Sequence, residues 1–295
     1  MTQNQSNKTY ESSLLALRQE IDDVDNKILS LLEQRMSVVG RVAELKKQND
    51  EKFFIRSNRE ADMIKDLIKK SQKTLPKNLV LNLWRKIITA ANMHEQPLRI
   101  AIHNPNDCAK RSALVTQYYN ELVPLHNFDS PTNVIAALQK NEAEIAIFEL
   151  PSQNSEDQKE DQKQNWWIAL ANNKDGLRVF ARIPFYELNS KEDQLKLVAV
   201  AAKRAEKSSD DLSLLYVEAS KEVSKLQILN ELKNLNLNAK ILKSVKINQV
   251  EGMVFYLIEV VGFVDDGDEI LKNFSKSKIR PYIRVLGHYA SPIII

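Results

Sequence analysis

Apolar residues recur at 14, 17, 21, 24, 28, 31, 38, 42 and 45, a near-heptad period that predicts one long helix from about Ser13 to about Gln48. At 1.5 Å per residue such a helix spans roughly 50 Å, more than two short helices could cover, so a second copy of the chain is the expected partner. One position breaks the stripe: in LLEQRMSVVG, residues 31–40, Arg35 stands where the period asks for an apolar side chain. A second helix is predicted from Ser57, where SNRE has the form of a capping box closed by Glu60, and its apolar face is Met63, Ile64, Leu67 and Ile68. Pro76 opens a third, which carries Leu79, Val80, Leu83, Trp84, Ile87 and Ile88 and ends near Pro97.

Beyond Pro97 the period changes. LRIAIH and EIAIFEL read as strands and AKRSALVTQYYNEL and PTNVIAALQKN as helices, which predicts an α/β lobe. PSQNSEDQKEDQKQN is polar and of low complexity, a surface loop or disordered excursion. WWIALANN then reads as helix, LRVFARIPF and LKLVAV as strands, and AAKRAEKSSDD as a separator. From Leu212 the order is βαββαβ: LSLLYVEAS, a helix around Leu226 to Leu235, LNAKILKSVKI, MVFYLIEVVGF, a helix near Asp268 to Phe274, and IRPYIRVLGHY. That split order resembles a small ligand-sensing domain of the ACT type. The expected fold class is multidomain: a disordered tail over 1–13, an all-α three-helix dimeric domain over 14–96, an α/β domain over 97–205 and a C-terminal α+β, ACT-like domain over 206–295.

Composition narrows the function. The 295 residues are 43% hydrophobic and 27% charged, the balance of a soluble globular protein. No stretch approaches eighteen apolar residues, so no membrane association is expected. The polar start MTQNQSNKTYESS lacks the features of a secretory signal and points to the cytoplasm. A net charge of +3, dispersed along the chain, gives no basic face for nucleic acid. The six glycines have neither dinucleotide-fingerprint nor phosphate-loop spacing, so no cofactor is expected. Cys108 has no companion ligands, and His103, His126 and His288 lie on separate elements, so no metal is expected either. Trp166 and Trp167 read as packing.

The cations of the first helix carry the chemistry. Arg35 alone reads equally as a polar residue that fixes register or as part of a site. Lys46 follows by eleven residues, about three turns and roughly 20° in azimuth, so both cations share a face with Val39 and Val42. Two buried cations need an anion, and a small dianion would satisfy both. Arg18 is roughly 25 Å from Arg35 along one helix. It is either an exposed charge or, in an antiparallel pair of chains, a residue brought toward the partner's site. Glu95 follows Trp84, Ile88 and Ala91 along one stripe and points inward, unless the helix frays there.

LLALRQEIDDVDNKILSLLEQRMSVVGRVAELKK, FFIRSNREADMI and NLWRKIITAANMHEQ resemble the all-helical chorismate mutases over residues 14–96, with Arg18, Arg35, Lys46, Arg59 and Glu60 in the family's order. The resemblance implies a homodimer through the long first helix that converts chorismate to prephenate. It further implies that Arg18 acts from the partner chain, with Arg35 and Lys46 binding the substrate carboxylates. Lys46 and Glu95 would flank the ether oxygen. Arg59 and Glu60 would lie at the ring carboxylate and hydroxyl end, and Arg56 and Ala91 would line the site. An intramolecular Claisen rearrangement needs no nucleophile, metal or proton transfer, only a held conformer and stabilisation of charge on the ether oxygen. Arginine forks suit the first task, and Lys46 with a neutral donor the second. The chain departs from the family at Ala91 and Glu95, where serine and glutamine are frequent. Glu95 can donate only when protonated, so activity is expected to fall as pH rises.

The remainder resembles, more faintly, the prephenate dehydratase and ACT regions that follow the mutase in some bifunctional enzymes. Glu149 precedes Leu150 where dehydratases have a Glu-Asn pair, Leu177 replaces a threonine before Arg178, and the turn HNPNDCAK holds no glycine. The hydroxyl that would deliver a proton to the leaving group is missing, so no dehydratase activity is expected. Some fused mutases, mainly alphaproteobacterial, resemble the chain even in WW followed by RVFARIPF, and their second half looks like a degenerate domain. The function expected is that of a chorismate mutase in phenylalanine and tyrosine biosynthesis. The alternatives are a bifunctional mutase-dehydratase and a non-catalytic dimeric metabolite sensor.

Overall fold

The computed structural model describes residues 3–49, 53, 55–71, 74–151, 165–189, 194–203, 206–247, 250 and 252–295. The low-complexity stretch expected after Pro151 lies outside them at 152–164, as do 204–205 of the expected separator. Two compact units emerge: Met1–Phe54 with His94–Gln96, and Ile55–Met93 with Pro97–Ile295.

The first unit is built on α1, Gln3–Gln48, a helix of 46 residues. It begins ten residues before the expected start at Ser13, so most of the stretch expected as a loose tail is helical. The physical reason lies in the backbone: no proline or glycine occurs before Gly40, and nothing stops the helix from propagating toward the N-terminus. Its apolar stripe is open in the single chain, with Leu17, Ile21, Val24, Ile28 and Leu31 each between 50% and 63% exposed.

The second unit contains α2 (Ser57–Lys70), most of α3 (Lys77–Glu95) and a nine-stranded sheet. Along the chain follow β1 (Ile100–His103), α4 (Ala109–Tyr119), β2 (Leu125–Phe128), α5 (Pro131–Gln139), β3 (Ile145–Glu149) and α6 (Trp166–Ala171). Next come β4 (Arg178–Ile183), β5 (Tyr186–Glu187) and β6 (Leu197–Ala201). The last stretch is β7 (Asp211–Ser220), α7 (Lys225–Asn234), β8 (Ala239–Val245), β9 (Met253–Val261), α8 (Glu269–Ser275), β10 (Tyr282–Ala290) and β11 (Ile293–Ile294). The βαββαβ order expected from Leu212 is present. The short β2, β5 and β11 were not expected.

The sheet runs β2-β1-β3-β6-β4-β10-β7-β9-β8. β2, β1 and β3 are parallel, and β6 pairs antiparallel with β3 and β4. β4 meets β10 in parallel at Val179 and Gly287, and the remaining pairs are antiparallel. Burial follows this continuity. One core unites Phe148, Trp166, Trp167 and Val179 with Tyr216, Leu257 and Tyr289, so it spans the join between the two halves of the sheet. A second core gathers Ile228 and Leu232 of α7 and Leu271 and Phe274 of α8 against β7, β9 and β10. Ala61 and Ile64 of α2 and Leu81 and Ile88 of α3 pack with Phe185 and Ala290, which seats the helix pair against the sheet's segments.

The expected capping box at Ser57 does not form. Arg56 occupies the cap position and its side chain makes no capping bond, while Ser57 Oγ donates to the Phe180 carbonyl at 2.5 Å. Glu60, which would have closed the box, is drawn inward by a buried arginine instead.

Candidate active site

In the first unit, Lys46 and Glu95 come together. Lys46 lies in the last turn of α1 and Glu95 ends α3, and Lys46 Nζ donates to Glu95 Oε2 at 2.6 Å. Both side chains are largely enclosed, at 14% and 8% exposure. Glu95 therefore points inward as the stripe requires. Arg35 is half-buried three turns earlier on α1, and its Nη1 is buried with no hydrogen-bond partner among the described residues. Such a guanidinium group is costly unless an anion completes it. Arg18 is exposed on α1.

In the second unit, Glu60 is 9% exposed and both its carboxylate oxygens are engaged. Oε2 accepts from Arg85 Nη1 at 2.9 Å and Oε1 from Asn92 Nδ2 at 3.1 Å. The guanidinium of Arg85 lies 4.4 Å from the ring centroid of Tyr118. Burial disfavours the charge on Arg85, but Tyr118 and Glu60 beside it outweigh that cost and hold its pKa above the usual arginine value. Burial raises the phenol pKa values of Tyr118 and Tyr119. Arg59 is exposed, Arg56 forms an ion pair with Glu206, and Ala91 is buried on α3.

Arg85 and Asn92 were not expected from the sequence. Their signal is nonetheless periodic: Leu81, Arg85, Ile88 and Asn92 repeat at four, three and four residues and are all buried. A cation on that stripe requires a partner, and Glu60 supplies it.

The sheet-rich region holds the other positions singled out by sequence. Glu149 Oε2 accepts from Arg111 Nε at 2.8 Å. Arg178 donates to the Leu177 carbonyl at 2.9 Å and to Asp266 at 3.3 Å, and Leu177 is buried. The turn after β1, which lacks glycine, places Asn106 and Asp107 in the left-handed region at φ 62° and 47°. Asn104 stabilises it, accepting from Cys108 N and donating to Ser112 and Asn127, each at 3.0 Å. His103 and His288 are buried, and burial holds both below the ordinary histidine pKa. Among the described residues, no group of three or more His, Cys, Asp or Glu side chains could hold a metal ion, and no helix is long and apolar enough to cross a membrane.

A long N-terminal helix with an enclosed lysine-glutamate pair, followed by two shorter helices, defines a helical region joined to a sheet-rich one. Residues 17–96 match the family described as chorismate mutase type II, so the chain carries a domain of that family at its N-terminus. The bifunctional chorismate mutase/prephenate dehydratase of Pseudomonas aeruginosa is 29% identical over 133 residues, covering 43% of this chain and 36% of that protein. The protein of the same name from Stutzerimonas stutzeri is 29% identical over 114 residues, covering 37% of this chain and 31% of its own length. The chain thus spans about a third of the length of the curated relatives it matches.

Among solved structures, a chain described as a novel type of quorum quenching acylase aligns at a TM-score of 0.48 and 13% identity, covering 65% of this chain and 94% of that one. Prephenate dehydratase from Streptococcus mutans aligns at 0.45 and 13%, covering 67% of this chain and 100% of that one. Likenesses at this level assign neither activity nor ligand.

Proposed function

We propose that the chain is a chorismate mutase that converts chorismate to prephenate in the cytoplasm, as a step of aromatic amino acid biosynthesis. The observation that carries this reading is the family match over residues 17–96, a segment that holds Arg18, Arg35, Lys46, Arg59 and Glu60 in order. In the proposed site Arg18 comes from the partner subunit of a homodimer formed along α1. Arg35 and Lys46 bind the substrate carboxylates, Arg59 and Glu60 serve the ring carboxylate and hydroxyl end, and Arg56 and Ala91 line the site. The open apolar stripe of α1 supports the dimer.

The rearrangement needs its two reacting termini held together and negative charge stabilised on the ether oxygen as the C–O bond breaks. Lys46 is the cationic donor to that oxygen and Glu95, when protonated, the neutral one. Their 2.6 Å bond supports this pairing, because two groups that meet directly in the free protein can separate around one intervening oxygen. Arg35 supplies a forked donor whose Nη1 has no acceptor among the described residues.

The domain organisation proposed is 14–96 for the mutase, 97–205 for a degenerate dehydratase-like domain and 206–295 for an ACT-like domain. Absence of dehydratase activity is supported by the buried Leu177 in place of a hydroxyl residue and by the commitment of Glu149 to Arg111. The name of the two bacterial relatives favours a second reading, a bifunctional mutase-dehydratase. One assay separates them. Purified chain given chorismate should consume it and accumulate prephenate. Phenylpyruvate formed without acid treatment would support the bifunctional enzyme, and no consumption would leave only a metabolite-binding protein.

A further inference from the structure

The carboxylate of Glu60 is fixed from two sides. A glutamate on a helix ordinarily samples several rotamers, and holding one of them costs side-chain entropy. Here Arg85 and Asn92, both from α3, each take one oxygen, at 2.9 and 3.1 Å. The pair of hydrogen bonds sets the plane of the carboxylate and leaves its remaining lone pairs for another donor. Arg85 is itself held: its guanidinium lies over Tyr118, near the end of α4, which packs edge-on against the buried Tyr119 at 5.0 Å. Tyr118 also packs against the cluster that joins α2 and α3 to Phe185 and Ala290, so order passes from that cluster through Tyr118 and Arg85 to Glu60. The frame of α2 is fastened to the sheet-rich region, since Asn58 donates to Asp211 at 3.3 Å and Asp62 accepts from Ser209 N at 3.2 Å.

We infer that Arg85 is a positioning residue for Glu60, and that Tyr118 makes the sheet-rich region a working part of the mutase by holding Arg85 in place. This rests on the reading above, in which Glu60 serves the hydroxyl end of the substrate. It gives the extension a role that needs no ligand and no second activity. Glu60 reports how well α4 is seated, because the cation it bonds to is stacked on α4.

Arg85→Gln is a poor probe, because it removes the stack on Tyr118 and the hydrogen bond to Glu60 together. Tyr118 is the better one. Every variant, Glu60→Ala included because it leaves Arg85 without its carboxylate, is first checked for fold by circular dichroism. Steady-state turnover of chorismate by the full chain is compared for Tyr118→Leu, which removes the ring, and Tyr118→Phe, which keeps it, each with and without Glu60→Ala. Tyr118→Leu should lower kcat/KM about fivefold, the range of one partly desolvated cation–π contact, and Tyr118→Phe should restore most of the loss. With Glu60→Ala present, Tyr118→Leu should have no further effect, since the two act through one carboxylate. A loss of equal factor in both backgrounds, no loss with leucine, or a loss as large with phenylalanine would overturn the inference while leaving the mutase reading intact. If the unaltered chain turns over no chorismate, or Glu60→Ala matches it, the reading beneath fails and the inference with it.

Discussion

Lys46 and Glu95 form a 2.6 Å hydrogen-bonded ion pair that closes the last turn of α1 onto the last residue of α3. Glu95 is the acceptor in that bond, yet the proposed reaction asks it to be a donor. Glu95→Gln supplies a permanent N–H donor while its amide oxygen still accepts from Lys46. The variant should therefore raise kcat/KM for chorismate by about tenfold or more, as expected for one donor to a developing oxyanion. A variant no faster than the unaltered chain would remove Glu95 from the mechanism.

Arg18 and Arg35 share one helix but cannot share one ligand within it, being roughly 25 Å apart. A site built from both requires two chains. Arg18→Ala and Arg35→Ala should each abolish most turnover alone, by about a hundredfold or more, since each removes a charged donor to a carboxylate. Unfolded together and refolded as a mixture, they should recover about a quarter of the unaltered activity, because half of the dimers are hybrids and each hybrid has one intact site. A mixture no more active than its components would exclude a shared site.

Gly287 marks the meeting of β4 with β10. Its φ is +141°, and a Cβ added there would lie 2.1 Å from the carbonyl oxygen and 2.5 Å from the amide nitrogen of Val179. Both are backbone atoms, so no side chain can turn aside to make room. Gly287→Ala should lower stability by at least about 3 kcal/mol, read as a shift of the urea midpoint followed by tryptophan fluorescence. Trp166 and Trp167 sit in the core that spans this join and report it directly. An unmoved midpoint would show that the two strands part without cost.

Local periodicity made α1, α3 and the βαββαβ order readable, because each depends on neighbours within a few turns or on strand alternation. Ser57 and Glu60 show where that ends. Their spacing is that of a capping box, but Phe180 takes the hydroxyl and Arg85 the carboxylate, and neither is a local neighbour. β2 went unread since His126 and Asn127 give a four-residue strand no apolar alternation. The seam between β4 and β10 is equally silent, as a parallel contact between Val179 and Gly287 leaves no local signature beyond one glycine. Of the site, the sequence located Lys46 and Glu95 by face, whereas the partners of Glu60 needed the packing of α3 to be known.

His288 is buried on β10, donates from Nε2 to the Val264 carbonyl at 2.5 Å, and stacks on Phe263 with ring centroids 4.1 Å apart. Burial lowers its pKa below the ordinary 6.5, opposed by the Val264 carbonyl and by Asp265, Asp211 and Asp266. The folded chain therefore keeps the ring neutral where the unfolded chain begins to bind a proton. Stability is full above the unfolded value, declines as pH falls below it, and levels off beneath the folded value. His103 is lowered for the same first reason and adds to the effect. Urea midpoints should drop on acidification from neutral pH, with a slope of up to about 1.4 kcal/mol per pH unit for each group. His288→Gln retains an N–H for the Val264 carbonyl but has nothing to titrate. It should lose the share of the slope that belongs to His288 and keep the share from His103; a slope unchanged by the substitution would mean that His288 takes up its proton equally in both states.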